Sequence, residues 1–295
     1  MPDRVFPRGR GALLFLILSA DALLLPSGLW LDALAAGVLA LLIGTGWFAL
    51  ARKYRFADGF ALLDRLPHGA ARLADGLILV LAALLAVRTA FDLAGFLHEM
   101  ALPGLPVWLA GGVLLLCAGL LARHGLPALA LWAVPSAWAA GGVIALSLLL
   151  SLPDWSLPRL TLSTLLAPAG LFRVQGTVFG HALFVLLFTG DDPDLPQTRA
   201  ALTGVACAAL ALALSGLRAA AVLGTRCAAA LPYPAYTAAG VFAIGDFLQR
   251  SEALFGAALS LCFLARAALL LAVCRACLNR LRTRRKQPVS APPAV

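Results

Sequence analysis

Charge is scarce in this chain, asparagine is almost missing, and the familiar catalytic motifs are absent. Asp, Glu, Lys and Arg make up 13% of the 295 residues, against 62% apolar. There is no G-x-x-x-x-G-K-[ST] phosphate loop, no H-E-x-x-H and no G-x-S-x-G. Common nucleotide, zinc-protease and serine-hydrolase chemistries have no residues to run on, so a non-enzymatic role is expected. The single asparagine is Asn279, and no glycosylation sequon occurs. Strand formers are sparse beside Leu and Ala, which points to helices rather than a membrane barrel.

The six cysteines do not read as a disulfide framework. Cys117, Cys207 and Cys262 sit inside apolar runs, where a free thiol packs as a small hydrophobe. Cys274 and Cys277 form a C-x-x-C at a basic helix end with no ligand partners nearby, so neither a metal nor a cofactor is expected. No cleavable signal peptide is expected either: the first apolar run is too long, and no small-residue cleavage site follows it.

What is there is a set of long apolar runs. A run of ~20 residues spans a bilayer as a helix, and a mean hydropathy of +0.93 leaves room for little else. Eight spans are predicted, over 11–30, 31–51, 75–97, 104–122, 126–151, 161–190, 199–217 and 252–278. The basic residues agree with an even number. Of 23 Lys and Arg, 16 fall on one side under this threading, from Arg4, Arg8 and Arg10 through Arg52–Arg72 to the cluster Arg275–Lys286. Arg159, Arg218, Arg226 and Arg250 fall on the other side. By the positive-inside rule both termini are expected in the cytoplasm. The net charge of +9 then reads as attraction to the anionic leaflet, not to nucleic acid. Residues 1–278 form the predicted membrane domain. Residues 279–295 form a basic, Pro-rich cytoplasmic tail. The more polar segment 218–250 is expected to hold an interfacial helix on the outer face.

Two spans carry helix breakers. The first has Ser19-Ala20-Asp21-Ala22 and then Pro26-Ser27-Gly28; the sixth has Pro168-Ala169-Gly170 and then Gly176 and Gly180. Pro removes a helix hydrogen bond and Gly weakens the helix. Either these are ordinary kinks, or both helices are interrupted at mid-depth, as in transporters built from inverted repeats. Ionisable residues within the spans sharpen the question, because each is costly in hydrocarbon. Arg88 and Asp92 lie four apart on one face. Arg173 and His181 lie eight apart, two turns on. For His181 the readings are a hydrogen-bonded packing residue or a proton carrier. Asp21 and Arg266 sit near the middle of their spans.

The stretch Pro234 to Phe255, PAYTAAGVFAIGDFLQRSEALF, resembles the B subunits of spore-germination receptors. The signature comprises Pro234 and then Gly245, Phe247, Leu248, Arg250, Glu252, Leu254 and Phe255. Ala22-Leu23-Leu24-Leu25-Pro26 is similar to the family's small-Leu-Leu-x-x-Pro element, with one residue fewer before the proline. That family belongs to the amino acid–polyamine–organocation transporter superfamily, with ten spans and with helices one and six broken around a small-molecule site. The resemblance implies ligand binding at Ser19, Ala20, Asp21, Gly170, Arg173, Gly176 and His181. It also implies that the first and eighth helices are neighbours, so that Arg266 would meet Asp21 where a coupling cation is often held. Partners would be a small nutrient such as an amino acid, and the receptor's A and C subunits, in the spore inner membrane. A secondary amino-acid transporter or an accessory membrane subunit are the alternatives. Two departures stand out. The chain stops after the eighth run, where the family continues through two peripheral helices. The first break also carries an aspartate in place of a glycine-rich sequence.

Overall fold

A computed structural model describes residues 6–26, 29–54, 59–156, 168–186, 195–241 and 251–286. Among the described residues every regular element is helical. The long helices are α2 (Trp30–Tyr54), α4 (His68–Phe96), α6 (Gly125–Ser151), α9 (Leu195–Leu223) and α12 (Ser251–Lys286). Between them lie α1 (Phe6–Ser19), α3 (Gly59–Asp64), α5 (Val107–Ala122), α7 (Pro168–Thr177), α8 (Ala182–Leu186), α10 (Thr225–Ala230) and α11 (Pro234–Ala239). Among the described residues five helices are long and apolar enough to cross a membrane, and α5 is a shorter apolar helix.

The packing suits a membrane protein: alanines line many of the helix contacts around a core of Leu, Ile and Phe, and many large apolar side chains face outward. On α4 the buried stripe is Ala71, Asp75, Ala82, Ala86, Thr89, Ala90, Leu93, Ala94 and Phe96. These recur at three- and four-residue spacing, so one face meets the bundle. The opposite face exposes Leu73, Leu77, Leu84 and Phe91. Trp108 and Trp138 are likewise exposed, at 72% and 80%. Apolar surface on this scale needs a lipid covering.

Helix α12 is the hub, packing on α4, α5, α6, α1 and α11. It runs past 278, where the membrane domain was expected to end, because its basic last turns have partners. Arg280 donates to both Asp64 and Asp75, and Arg284 pairs with the same two carboxylates. Arg280 also stacks on the Phe60 ring, 4.8 Å from its centroid. Part of the cluster read as leaflet attraction is therefore an internal clamp joining α3, α4 and α12. Cys274 and Cys277 precede that clamp and are buried in the core, the Cys274 thiol 3.8 Å from the Leu79 carbonyl. Their spacing is that of a packed helix face. The double change Cys274→Ala with Cys277→Ala is expected to leave the fold unchanged. Stoichiometric zinc in the purified protein, lost in the double variant, would contradict this.

Helix α9 corrects the seventh span. It was expected to end at Leu217, with Arg218 outside in an interfacial segment. Instead the helix continues to Leu223 and Arg218 is fully buried. Its guanidinium donates to Ser147 Oγ on α6 and, at 2.6 Å, to the Ala235 carbonyl of α11, and it lies 4.7 Å from the Phe255 ring centroid. A charge with such partners need not mark a helix end. Gly224, at φ +81°, ends α9, a conformation that favours glycine. Short helices α10 and α11 follow. On α11, Pro234, Ala235, Ala238 and Ala239 are buried, and Tyr233 and Tyr236 pack edge-on to Phe96 of α4. Residues 218–222 and 233–235 are thus packed into the bundle, whereas α10 between them exposes Arg226, Cys227, Ala229 and Ala230. Residues 242–250, with Gly245 and Arg250 of the signature, lie outside the described residues.

Candidate functional site: a charged cavity at two helix interruptions

Helix α1 stops at Ser19 and passes through a single 3-10 turn, Ala20–Ala22. No further helix of this span follows among the described residues before α2. A helix end leaves its last carbonyls without intrahelical donors. The Ile17 carbonyl is one of these, and Arg266 of α12 takes it, through Nε at 2.9 Å and Nη2 at 2.5 Å. The same guanidinium grips the Asp21 carboxylate in a two-pronged pair, Nη1 to Oδ1 at 2.9 Å and Nη2 to Oδ2. Arg266 is 2% exposed. All three of its nitrogens are engaged, and the interruption and the arginine satisfy one another.

The second interruption comes at Val178–His181. Of the breakers read in the sixth span, Pro168, Ala169 and Gly170 are the first described residues of α7, and the residues before them lie outside the described residues. After Thr177 the chain makes a 3-10 turn, Phe179–His181, and re-enters a helix as α8. His181 is buried, its Nδ1 3.3 Å from the Val178 carbonyl.

Between the two interruptions and the middle of α4 lies a cavity of about 720 Å³. Its polar wall is Asp21, Arg266, Arg88, Thr89, Asp92, Arg173, Thr177 and His181. Its apolar wall includes Leu24, Leu25, Leu81, Leu85, Leu183 and Phe184. Arg88 Nε is 3.7 Å from Asp92 Oδ2, and the Arg88 side chain is 68% exposed, so this pair is looser than that of Asp21. Thr89 and Thr177 give their hydroxyl protons to the carbonyls of Leu85 and Arg173 in their own helices.

The cavity gathers Asp21, Arg173, Gly176, His181, Arg88, Asp92 and Arg266 from four separate stretches of chain. Ser19, Ala20 and Gly170 are not on its wall. Ser19 and Ala20 are fully buried in the core, and Gly170 packs on Asp32, whose Oδ2 would lie 2.7 Å from an added Cβ. Pro234 and Glu252 belong to a different part of the bundle, with Glu252 in the first turn of α12 beside Gly240. Asp32 was not singled out from the sequence. It is 2% exposed in the first turn of α2, with Oδ1 lacking a hydrogen-bond partner among the described residues. An aspartate opening an apolar run was the available signal, and it reads equally as a helix-start residue. Arg218 was missed for the opposite reason, because a charge was taken as a span boundary.

The chain matches no protein-family model and no curated protein. What the site can do rests on its geometry: it offers a partly open cavity beside two helix interruptions, lined by both apolar and ionic side chains.

Proposed function

We propose that this protein is a membrane subunit that binds a small nutrient in the cavity between the two interruptions and passes the bound state to partner subunits, in the manner of a germinant-receptor B subunit. One observation carries the reading. Both helix interruptions and four ion-pairing side chains open onto the same chamber of about 720 Å³. That volume is within the range of small-molecule sites, ~300–1,000 Å³, and the mix of apolar wall and few polar groups is usual for them. Binding would favour one of two arrangements of the interrupted segments, which A and C subunits would read. The role is binding, not catalysis. In this reading the chain crosses the membrane eight times, in a shortened transporter-like fold with both termini in the cytoplasm.

The Asp21–Arg266 pair separates this reading from coupled transport. A guanidinium held by the aspartate does permanently what a bound sodium ion does transiently, so binding should be independent of sodium. The test is thermal unfolding of the purified protein against an amino-acid panel, with sodium and with choline as the cation. A ligand that binds only the folded state raises the melting temperature. Stabilisation by a nutrient equally in both salts supports a sodium-independent receptor. Sodium-dependent stabilisation, with uptake of the same compound by proteoliposomes, would favour a secondary transporter instead.

The threading makes its own prediction. A cysteine introduced as Gln287→Cys should be protected from an impermeant thiol reagent in intact cells, and should react once the membrane is permeabilised. Labelling in intact cells would contradict a cytoplasmic C-terminus and an even number of spans.

A further inference from the structure

The cavity carries more guanidinium than carboxylate. Three arginines face two aspartates on its wall. Arg266 is fully engaged by Asp21 and the Ile17 carbonyl. Arg88 is paired with Asp92. Arg173 has no carboxylate within ion-pairing distance among the described residues, and it is exposed on the cavity wall. One positive charge is therefore in excess among the described residues, and Arg173 is the wall arginine that has no carboxylate partner there.

Acceptors for a ligand's cation are correspondingly few. The Asp21 carboxylate is held by both prongs of Arg266, and the carbonyl freed at the first interruption, that of Ile17, is already used by the same side chain. At the second interruption the Val178 carbonyl faces the His181 amide and ring. An ammonium group entering this chamber would meet three arginines and one loosely held carboxylate, Asp92, whose Oδ2 lies 3.7 Å from Arg88 Nε. A carboxylate would meet the planar, two-pronged donor that Arg173 presents. The rest of the wall, including Leu24, Leu25, Leu81, Leu85, Leu183 and Phe184, suits a branched or aromatic hydrocarbon body.

We infer that the ligand of this cavity is a small monocarboxylate with an apolar body, held through Arg173, rather than a zwitterionic amino acid or an amine. The inference rests on the reading of the cavity as a ligand site and narrows the ligand's class.

The test uses three compounds of related skeleton: 4-methylpentanoate, leucine and 3-methylbutylamine, with oleate as a lipid control. Each is titrated against the full-length purified protein, and the melting temperature is followed. The expected result is a saturable rise with 4-methylpentanoate, a smaller one or none with leucine, and none with the amine. Arg173→Gln should abolish the rise while leaving the unliganded melting temperature unchanged, because the side chain lies outside the core. Arg173→Lys keeps the charge and should retain part of the rise, with weaker affinity. Leucine or the amine acting as strongly as the acid would overturn the inference and leave the nutrient-binding reading standing. A response to oleate alone would assign the chamber to a lipid and overturn it. So would an undiminished response in Arg173→Gln. No response to any of these compounds, nor to the wider amino-acid panel, would overturn both.

Discussion

Arg266→Leu alone is expected to cost about 3–5 kcal/mol, the usual scale for removing one partner of a buried ion pair. The loss should appear as reduced yield of membrane-inserted protein and a lower melting temperature. The substitution strands the Asp21 carboxylate, 8% exposed, beside a carbonyl that has also lost its donor. Asp21→Asn should do less damage. An asparagine oxygen can still accept from Arg266, and the guanidinium keeps the Ile17 carbonyl. The combined change Asp21→Leu with Arg266→Leu should recover part of the stability, because replacing both partners by apolar groups removes the uncompensated charge. Recovery should be incomplete, since the Ile17 carbonyl stays without its partner. Strictly additive single effects in this double-mutant cycle would show that the two side chains do not act as a unit.

The second large effect is expected at the crossing of α1 and α9. Gly11 and Gly204 face each other there at backbone contact, and a Cβ built on Gly204 would overlap the Gly11 carbonyl group, with the carbonyl carbon 2.8 Å away. The obstacle is backbone, so no side-chain rotation relieves it. Gly204→Ala should therefore cost about 1–3 kcal/mol, the range for overpacking, and Gly204→Leu should prevent the two helices from docking. Gly46 of α2 is the control, with open space around its would-be Cβ. Gly46→Ala should be neutral or favourable, given alanine's helix preference of about 1 kcal/mol. The contrast is read as yield and melting temperature of four proteins made in parallel. Equal behaviour of Gly204→Ala and Gly46→Ala would contradict the close crossing.

The crossing matters to function because it sets where α1 ends. Helix α1 is held between α9, α6 and α12, and only its last turn is open to Arg266. The cavity is built on that fixed stump, on the flank of α4 that carries Leu85, Arg88, Thr89 and Asp92, and on the interrupted α7–α8 segment. Ligand effects should therefore concentrate at the residues of the interruptions that line the cavity, Asp21 and Gly176–His181, rather than at Ser19 and Ala20, which are sealed in the core.

How far the sequence could be read depended on the range of the interactions involved. Apolar runs over 75–97, 104–122, 126–151 and 252–278 coincide closely with α4, α5, α6 and α12, because helix formation in a bilayer follows from a local property, hydrophobicity. Arg88 and Asp92 were legible as a pair for the same reason, four residues being one helical turn. The ends of α9 and α12 were not legible. Arg218 and Arg280 looked like boundary charges, yet Ser147, Ala235, Asp64 and Asp75 receive them from 17 to 216 residues away along the chain. The second interruption, at Val178–His181, falls at Gly176 and Gly180 of the breakers read in the sixth span, because glycine weakens a helix locally. Asp21 and Arg266, 245 residues apart, meet in the structure, but neither periodicity nor composition could assign that contact. It followed only from the resemblance to a fold in which the first and eighth helices are neighbours.

The central claim is that the chamber between the two interruptions binds a small molecule. Gly176 tests it most directly, because it lies on the chamber wall with nothing within 4 Å of its would-be Cβ. Gly176→Trp should therefore fill space without displacing core atoms. The measurement is the ligand-induced rise in melting temperature, across the amino-acid and carboxylate panel, for the unaltered protein and for Gly176→Trp. The account predicts a saturable rise with at least one compound, lost in Gly176→Trp, whose unliganded melting temperature stays near that of the unaltered protein. A rise of equal size in both proteins would place the binding site elsewhere and contradict the account.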